Sequence, residues 1–141
     1  MLEISVRIEP WPEAQRQAML VREAVFVVEQ GVPREIEHDE WDVRCDHALA
    51  LDSGGGVVGT GRLLPDGHIG RLAVLREWRG CGIGARILVA LMDRARERGL
   101  KRAVLNAQTH AAPFYARHGF VSSGDEFMEA GIPHVTMARA L

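Results

Sequence analysis

The residues Arg79-Gly80-Cys81-Gly82-Ile83-Gly84-Ala85 form the stretch that decides the fold. They follow an apolar segment that ends near Leu75 and open a run of apolar residues at helical spacing. The apolar positions of that run are Ile83, Ile87, Leu88, Leu91, Met92 and Ala95. Glycines remove side chains from a loop, so backbone N–H groups at the start of a helix can converge on phosphate oxygens, and Arg79 adds charge. The stretch predicts a strand, a pyrophosphate-binding loop and a helix in succession.

The stretch partly matches two common nucleotide-binding motifs, but the residues that follow it disfavour both. A Walker P-loop needs Lys followed by Ser or Thr after its last glycine, whereas Ala85 and Arg86 follow here. Gly80, Gly82 and Ala85 do fit the spacing of a Rossmann fingerprint. However, the next predicted strand ends in Asn106-Ala107-Gln108 and offers no acid for a ribose hydroxyl, and the motif lies in mid-chain instead of opening a βαβ unit.

The segments on either side of the loop predict an α/β domain. Alternating residues from Leu2 to Ile8 indicate a strand, and Pro12 opens a helix that continues to about Val28. Its expected apolar face comprises Ala14, Ala18, Val21, Ala24, Val25 and Val28. Three meander strands are expected at 45–51, 57–64 and 68–75. After the central helix, which ends before Gly99, we expect a strand at 102–107, a helix at 110–118, and strands at 120–127 and 134–141.

Composition indicates one globular domain, residues 1–141. The chain is 47% hydrophobic and 26% charged, and its formal net charge of −2 lacks the basic excess of a nucleic-acid-binding domain. No apolar run approaches the roughly 20 residues that span a bilayer, so neither nucleic acid nor membrane is expected as a partner. Cys45 and Cys81 form no CxxC pair, which favours free thiols and a cytoplasmic location.

Charge is unevenly distributed along the chain. Seven acids and two bases lie between Glu29 and Asp46, whereas nine bases and three acids lie between Arg71 and Arg102. This asymmetry favours a cationic ligand at the acidic segment and an anionic ligand at the basic one, with solvated surface charge as the alternative. His38-Asp39-Glu40 lacks metal-ligand spacing, so no metal is expected.

Arg79-x-x-Gly82-x-Gly84 resembles the coenzyme A pyrophosphate loop, Arg/Gln-x-x-Gly-x-Gly/Ala, of the GNAT (GCN5-related) N-acetyltransferases. Residues 70–74 are similar to that family's fourth strand, Asn106 to an asparagine that faces the cofactor arm, and residues 114–120 to its F-Y-x-x-x-G-F segment. The resemblance covers the whole chain in the family's order of elements. Residues 25–30, 37–42 and 131–139 further resemble the ElaA/YjcF-like predicted acetyltransferases.

The resemblance implies a mixed, strongly twisted sheet of about seven strands flanked by about four helices. It also implies transfer of an acetyl group from acetyl-CoA to a primary amine of a small molecule or peptide, by direct attack in a ternary complex. The implied cofactor-binding positions are Leu72, Ala73, Val74, Arg79, Gly80, Cys81, Gly82, Ile83, Gly84 and Asn106. Acyl transfer like that of acyl-homoserine lactone synthases, a non-catalytic acyl-CoA sensor and a homodimer remain open alternatives.

Two side chains are expected to transfer protons. Tyr115, the chain's one tyrosine, would protonate the departing thiolate, which predicts an alkaline limb with an apparent pKa of about 8 to 10; its alternative role is a core aromatic. Glu29 would deprotonate the amine with a pKa raised by burial, unless it is a surface acid at a helix end. Glu37, Asp39, Glu40 and His134 are further candidates, with Glu40 and His134 placed at the acceptor site.

Overall fold

The computed structural model describes residues 3–37 and 39–141. Its strands are β1 Ser5–Pro10, β2 Asp46–Leu51, β3 Val57–Leu63, β4 Ile69–Val74, β5 Arg102–Gln108, β6 Val121–Glu129 and β7 Ile132–Ala140. Its α-helices are α1 Trp11–Arg22, α2 Arg34–Glu37, α3 Ile83–Glu97 and α4 Ala112–Arg117, and a π-helical segment, Glu23–Glu29, continues α1. Short 3₁₀ turns occur at Glu40–Arg44, Arg76–Trp78 and Thr109–Ala111. The predicted α/β class and order of elements are confirmed; Leu2 and His38 lie outside the described residues.

The seven strands form two sheets that meet at one edge. The first has the order β1-β2-β3-β4 and the second β5-β7-β6, with antiparallel pairs throughout. In the described part of the chain, one parallel bridge, His68 to Val104, joins β4 to β5. The Val104 N–H also donates to the Gly67 carbonyl at 3.1 Å. Beyond this junction β4 and β5 diverge, so the mixed sheet is split where the sequence predicts a cofactor.

Gly67 allows the two sheets to meet. Its φ is +101°, and an added Cβ would lie 2.6 Å from the Arg102 carbonyl oxygen. Real Cβ atoms do not approach backbone oxygen this closely, and side-chain residues avoid this backbone conformation. The junction therefore depends on a glycine at this turn.

Helix α3 packs across both sheets and closes the main core. The predicted face of α3 is confirmed, because its buried residues are Ile83, Ile87, Leu88, Leu91, Met92 and Ala95. They contact buried residues of the first sheet, such as Val58 and Leu63, and of the second, such as Leu105 and Met137. The two sheets thus share one core although they are hydrogen-bonded at one point. No helix in the described residues has the length and apolarity needed to cross a bilayer.

The second half of the first long helix differs from expectation. From Glu23 onward it is a π-helix, in which the Gln30 N–H donates to the Val25 carbonyl five residues back, at 3.0 Å. The wider winding rotates later side chains away from the predicted face. Val28 is consequently 74% exposed, and Ala24 is half-buried. The same winding brings Glu29 and Gln30 to the space between β4 and β5.

Candidate active site

A cleft of about 730 Å³ lies between the diverging edges of β4 and β5. Leu72, Ala73 and Val74 line it from β4, and Leu105 and Asn106 from β5. Side chains of the π-helical segment and of residues 129–134 also line it. Strand edges that diverge leave backbone N–H and C=O groups without a neighbouring strand. The cleft therefore offers main-chain hydrogen-bonding groups to an extended ligand.

The glycine-rich loop connects the β4 wall of this cleft to α3. Gly82 is the N-cap residue of α3, with a left-handed φ of 78°, and no side chain caps the first turn. The N–H groups of this turn thus lack side-chain partners at the positive end of the helix dipole. An added Cβ on Gly84 would lie 3.6 Å from Cζ of Phe114, so α3 packs closely on α4. The predicted loop positions adjoin the cleft beyond Arg79 but do not line it; they are Gly80, Cys81, Gly82, Ile83 and Gly84.

The Arg79 side chain is hydrogen-bonded to residues that line the cleft and does not extend freely from the loop. Its Nε donates to the Val74 carbonyl at 3.0 Å, and its two Nη atoms donate to the Glu29 carboxylate at 2.7 and 2.8 Å. This hydrogen bonding to Arg79 lowers the pKa of Glu29. The expectation that burial raises the Glu29 pKa is therefore wrong, because the carboxylate is only partly buried and is paired with a guanidinium.

Tyr115 lines the cleft from α4. Its ring packs edge-on against Phe114, at a centroid distance of 5.0 Å, and against Phe120, at 6.0 Å. Burial raises the pKa of Tyr115 to about 12. The phenol is therefore protonated at neutral pH, as a proton donor must be, and the expected alkaline limb at about 8 to 10 is wrong because burial disfavours the phenolate.

Two polar residues of β5 face the cleft, and one of them is paired across it. Asn106 Oδ1 accepts a hydrogen bond from Thr136 Oγ1 at 3.0 Å, which fixes its amide group. Gln108 and Gln30 form a reciprocal amide pair with N–O distances of 3.3 and 2.9 Å. The sequence analysis missed this pair, because the partners lie 78 residues apart and nothing local links them.

Most acids of the 29–46 segment are paired with arginines from other elements. The pairs are Glu29–Arg79, Glu37–Arg22, Asp39–Arg62, Asp39–Arg71, Asp42–Arg22, Asp42–Arg62 and Asp46–Arg98. The segment therefore does not present the unpaired anionic surface that the charge asymmetry favoured. Glu40, predicted at the acceptor site, is exposed and is not one of the described residues that line the cleft.

A buried ion-pair network lies at the end of the cleft that Glu37, Asp39 and Arg62 line, where an acceptor was predicted from the acidic segment. Arg22 donates to both Glu37 and Asp42, and all three side chains are buried. Burial opposes ionisation of Asp42, but hydrogen bonds from Arg22 and Arg62 outweigh it and lower its pKa. Glu37 Oε2 and Arg62 Nε are buried without a hydrogen-bond partner in the described chain. The sequence analysis missed Arg22. Its position beside Val21, on the apolar face of α1, could have indicated that this arginine is buried and paired.

Arg71 has a left-handed backbone in the middle of β4, with a φ of +50°. The register places both Arg71 and Leu72 opposite Gly61, which makes a bulge in the wall of the cleft. A side-chain residue in this conformation costs about 1 kcal/mol. Its guanidinium turns toward the 36–39 segment, where Nε donates to the Glu37 carbonyl at 3.1 Å.

His134 lies in β7 at the far end of the cleft and is buried. Its Nδ1 lies 2.7 Å from the Ile132 carbonyl oxygen, which can only accept, so Nδ1 carries the hydrogen. In the neutral ring the lone pair is then on Nε2, which lies 3.5 Å from Glu129 Oε2. The ring also stacks on Phe127 at a centroid distance of 5.9 Å. This geometry suits a group that accepts a proton at Nε2 next to a carboxylate.

Neither cysteine forms a disulfide, and Cys45 is buried whereas Cys81 is exposed. Within residues 3–37 and 39–141, no group of three His, Cys, Asp or Glu side chains has the arrangement of a metal site. His38, part of the segment weighed for a metal, lies outside those residues.

Comparison with known proteins agrees with this architecture. A family model described as an acetyltransferase (GNAT) domain matches residues 12–141. The N-acetyltransferase YjcF of Bacillus subtilis is 44% identical over 131 residues, which cover 90% of this chain and 93% of YjcF. The structure of Escherichia coli ElaA matches with a TM-score of 0.85 and 28% identity, covering 96% of this chain and 99% of ElaA. An acyl-CoA N-acyltransferase from Pseudomonas aeruginosa matches with a TM-score of 0.84 and 29% identity, covering 99% of this chain and 100% of that one. With a family match over most of its length and these relatives, the chain belongs to the GNAT acetyltransferase family, among its ElaA/YjcF-like members.

Proposed function

We propose that the protein transfers the acetyl group of acetyl-CoA to a primary amine by direct attack within a ternary complex. The observation that carries this proposal is the cleft along the unpaired edge of β4, which reaches Arg79, the residue that begins the glycine loop before the uncapped N-terminus of α3. One extended ligand can place its amide-bearing arm on the strand and its pyrophosphate on the glycine loop. Family membership supports acyl transfer in general; the acetyl group, the amine and the cytoplasmic location are our proposals.

The main chain does most of the cofactor binding in this proposal. N–H groups of the loop from Gly80 to Gly84 hold the pyrophosphate, and Leu72 to Val74 hold the arm. Backbone N–H groups of the same strand also stabilise the oxyanion that forms when the amine attacks the thioester carbonyl. Arg79 adds positive charge beside the loop, and the second hydrogen on each of its Nη atoms can donate to the pyrophosphate while Arg79 stays paired with Glu29.

Tyr115 and His134 divide the proton transfers between them. The neutral His134 ring accepts a proton from the substrate ammonium at Nε2, directly or through water, and Glu129 stabilises the imidazolium. The free amine attacks the carbonyl carbon, the tetrahedral intermediate collapses, and the C–S bond breaks. Tyr115 then donates its phenolic proton to the thiolate of coenzyme A and takes back the proton that the attacking nitrogen loses as the amide forms, while His134 releases its proton to solvent. We prefer His134 to Glu29 as the base, because Glu29 is already held by Arg79.

A matched pair of glycine variants tests the cofactor site. Gly82 and Gly99 lie at opposite ends of α3, have φ values of +78° and +76°, and have open space around an added Cβ. Valine therefore imposes similar backbone strain at both positions, but only Gly82 lies in the loop. Calorimetry should show that Gly82→Val weakens acetyl-CoA binding more than tenfold, whereas Gly99→Val leaves it within twofold.

Equal affinities in the two folded variants would remove the loop from the cofactor site. The wild-type protein should also release thiol from acetyl-CoA in the presence of an amine panel and should not bind NADH. Binding of acetyl-CoA without thiol release from any amine would favour the non-catalytic sensor.

A further inference from the structure

Arg71 is the more exposed of the two arginines, Arg62 and Arg71, that line the same end of the cleft as Glu37 and Asp39. Its side chain is 27% exposed, whereas that of Arg62 is 7% exposed. Nε donates to the Glu37 carbonyl at 3.1 Å, and Nη2 donates to Asp39 Oδ2 at 3.2 Å and to the Ile36 carbonyl at 3.5 Å. Nη1 donates to no residue in the described part of the chain. A ligand that enters the cleft can therefore reach two free N–H groups on a cation.

The nearby carboxylates are mostly occupied by other arginines. Asp39 contacts Arg62 at 2.7 and 2.9 Å, closer than its 3.2 Å contact with Arg71. Glu37 is hydrogen-bonded to Arg22 and lies 3.8 Å from Arg71 Nε. Burial and the charge of Arg62 lower the pKa of Arg71. An anion in the cleft can bind Nη1 of Arg71 without displacing these carboxylates.

The backbone at Arg71 points to a role for this side chain. Glycine adopts a φ of +50° without strain, whereas arginine does so at a cost. The bulge directs the guanidinium away from the strand ladder and toward the acceptor wall, immediately before the residues proposed to hold the thioester. A group bound by Arg71 thus lies next to the reacting atoms.

We propose that Arg71 binds a carboxylate of the acceptor, so the substrates are amines that also carry a carboxylate, as amino acids do. This inference rests on the proposed function, because the amine must approach the thioester beside Leu72 to Val74. The two N–H groups of Nη1 can donate charge-assisted hydrogen bonds to such a carboxylate. His134 and Glu129 then receive the ammonium end of the same molecule.

Pairs of acceptors that differ only in the carboxylate test this proposal. Each amino acid is compared with its carboxamide, using alanine, β-alanine and 4-aminobutyrate. The amide has the less basic amine, so at a fixed pH more of it is free to attack, and a preference for the acid cannot arise from amine basicity. In the wild type, kcat/KM for the preferred acid should exceed that for its amide by about tenfold or more.

Arg71→Gln should abolish this preference. It should lower kcat/KM for the acid to the level of the amide, while the amide value stays within threefold and the acetyl-CoA Kd within twofold. Arg71→Lys, which keeps the charge but not the planar fork, should retain part of the preference. Arg102→Gln, an exposed arginine at the start of β5, is the control and should change neither value.

Three results would overturn the proposal: equal rates for acids and amides in the wild type, a preference that survives in Arg71→Gln, or loss of acetyl-CoA binding in the Arg71 variants. Where turnover is slow, the N-acetyl acid and its amide are compared as ligands of the CoA complex, and equal affinities also overturn it. Failure of the proposed function has a different signature, because the wild type would then bind no acetyl-CoA, or would bind it and release no thiol with any acid or amide.

Discussion

Tyr115 has a packed ring and a hydroxyl group proposed to donate a proton. Substitution by phenylalanine keeps the ring and removes only the hydroxyl. Tyr115→Phe retains the contacts with Phe114 and Phe120 and removes no hydrogen bond to the described chain, so stability should change little. General-acid assistance is worth about 10²- to 10⁴-fold, so kcat should fall by about that factor while acetyl-CoA affinity stays within a few-fold. Steady-state kinetics and calorimetry measure the two effects.

The raised pKa of Tyr115 predicts how the reaction rate of the wild type and of Tyr115→Phe depends on pH. A phenol acts as an acid below its pKa, so its contribution is lost as the pH rises through about 12. Wild type and Tyr115→Phe should therefore have alkaline profiles of the same shape up to about pH 10. A wild-type limb between about pH 8 and 10 that disappears in the variant would contradict the raised pKa.

Local signals in the sequence were enough to locate candidate positions that the structure places at or beside the cleft. The glycine loop and Tyr115 are recognised within a few neighbouring residues, and both line or adjoin the cleft. The partners of Arg22 and Arg71 could not be predicted in this way, because each pair forms between segments that only the tertiary fold brings together. The pKa of Glu29 was mispredicted for the same reason, since Arg79 lies 50 residues away.

At the scale of elements, the π-helical end of α1 links the two walls of the cleft. Its last residue, Glu29, holds Arg79 of the first wall, and the next residue, Gln30, holds Gln108 of the second. A regular α-helix was predicted here, because apolar spacing does not distinguish the two windings over seven residues. The winding is what brings two consecutive polar residues to opposite walls.

The Glu29–Arg79 pair makes a testable prediction about cofactor affinity. Glu29→Gln removes a carboxylate near the polyanionic cofactor and frees Arg79, so acetyl-CoA should bind about two- to fivefold more tightly. Glu23→Gln is the matched control. Glu23 lies on the same π-helical segment as Glu29, pairs with Arg34 of α2, and does not line the described cleft. It should leave the affinity unchanged. A large loss of kcat with unchanged affinity in Glu29→Gln would instead support Glu29 as the base.

At the scale of the whole molecule, the two sheets share a core but are hydrogen-bonded at one junction. A cofactor lying between β4 and β5 should therefore add contacts that the free protein lacks. At a free acetyl-CoA concentration of 100 times Kd, stability should rise by about 2.7 kcal/mol. Thermal unfolding measures the rise, and hydrogen exchange should show new protection at the β4 amides that do not face β3. NADH at the same concentration should produce neither change.

The junction at Gly67 has a consequence for how proteins of this architecture diversify. The angle between the sheets is set by the backbone contact at Gly67 and by a shared core, and neither Arg71 nor His134 belongs to that contact or to the buried core. Wall residues such as Arg71 and His134 can then be exchanged during evolution while the width of the opening stays the same. New acceptors can be acquired by a few substitutions on the walls, without the loss of foldability that a change at the junction would bring.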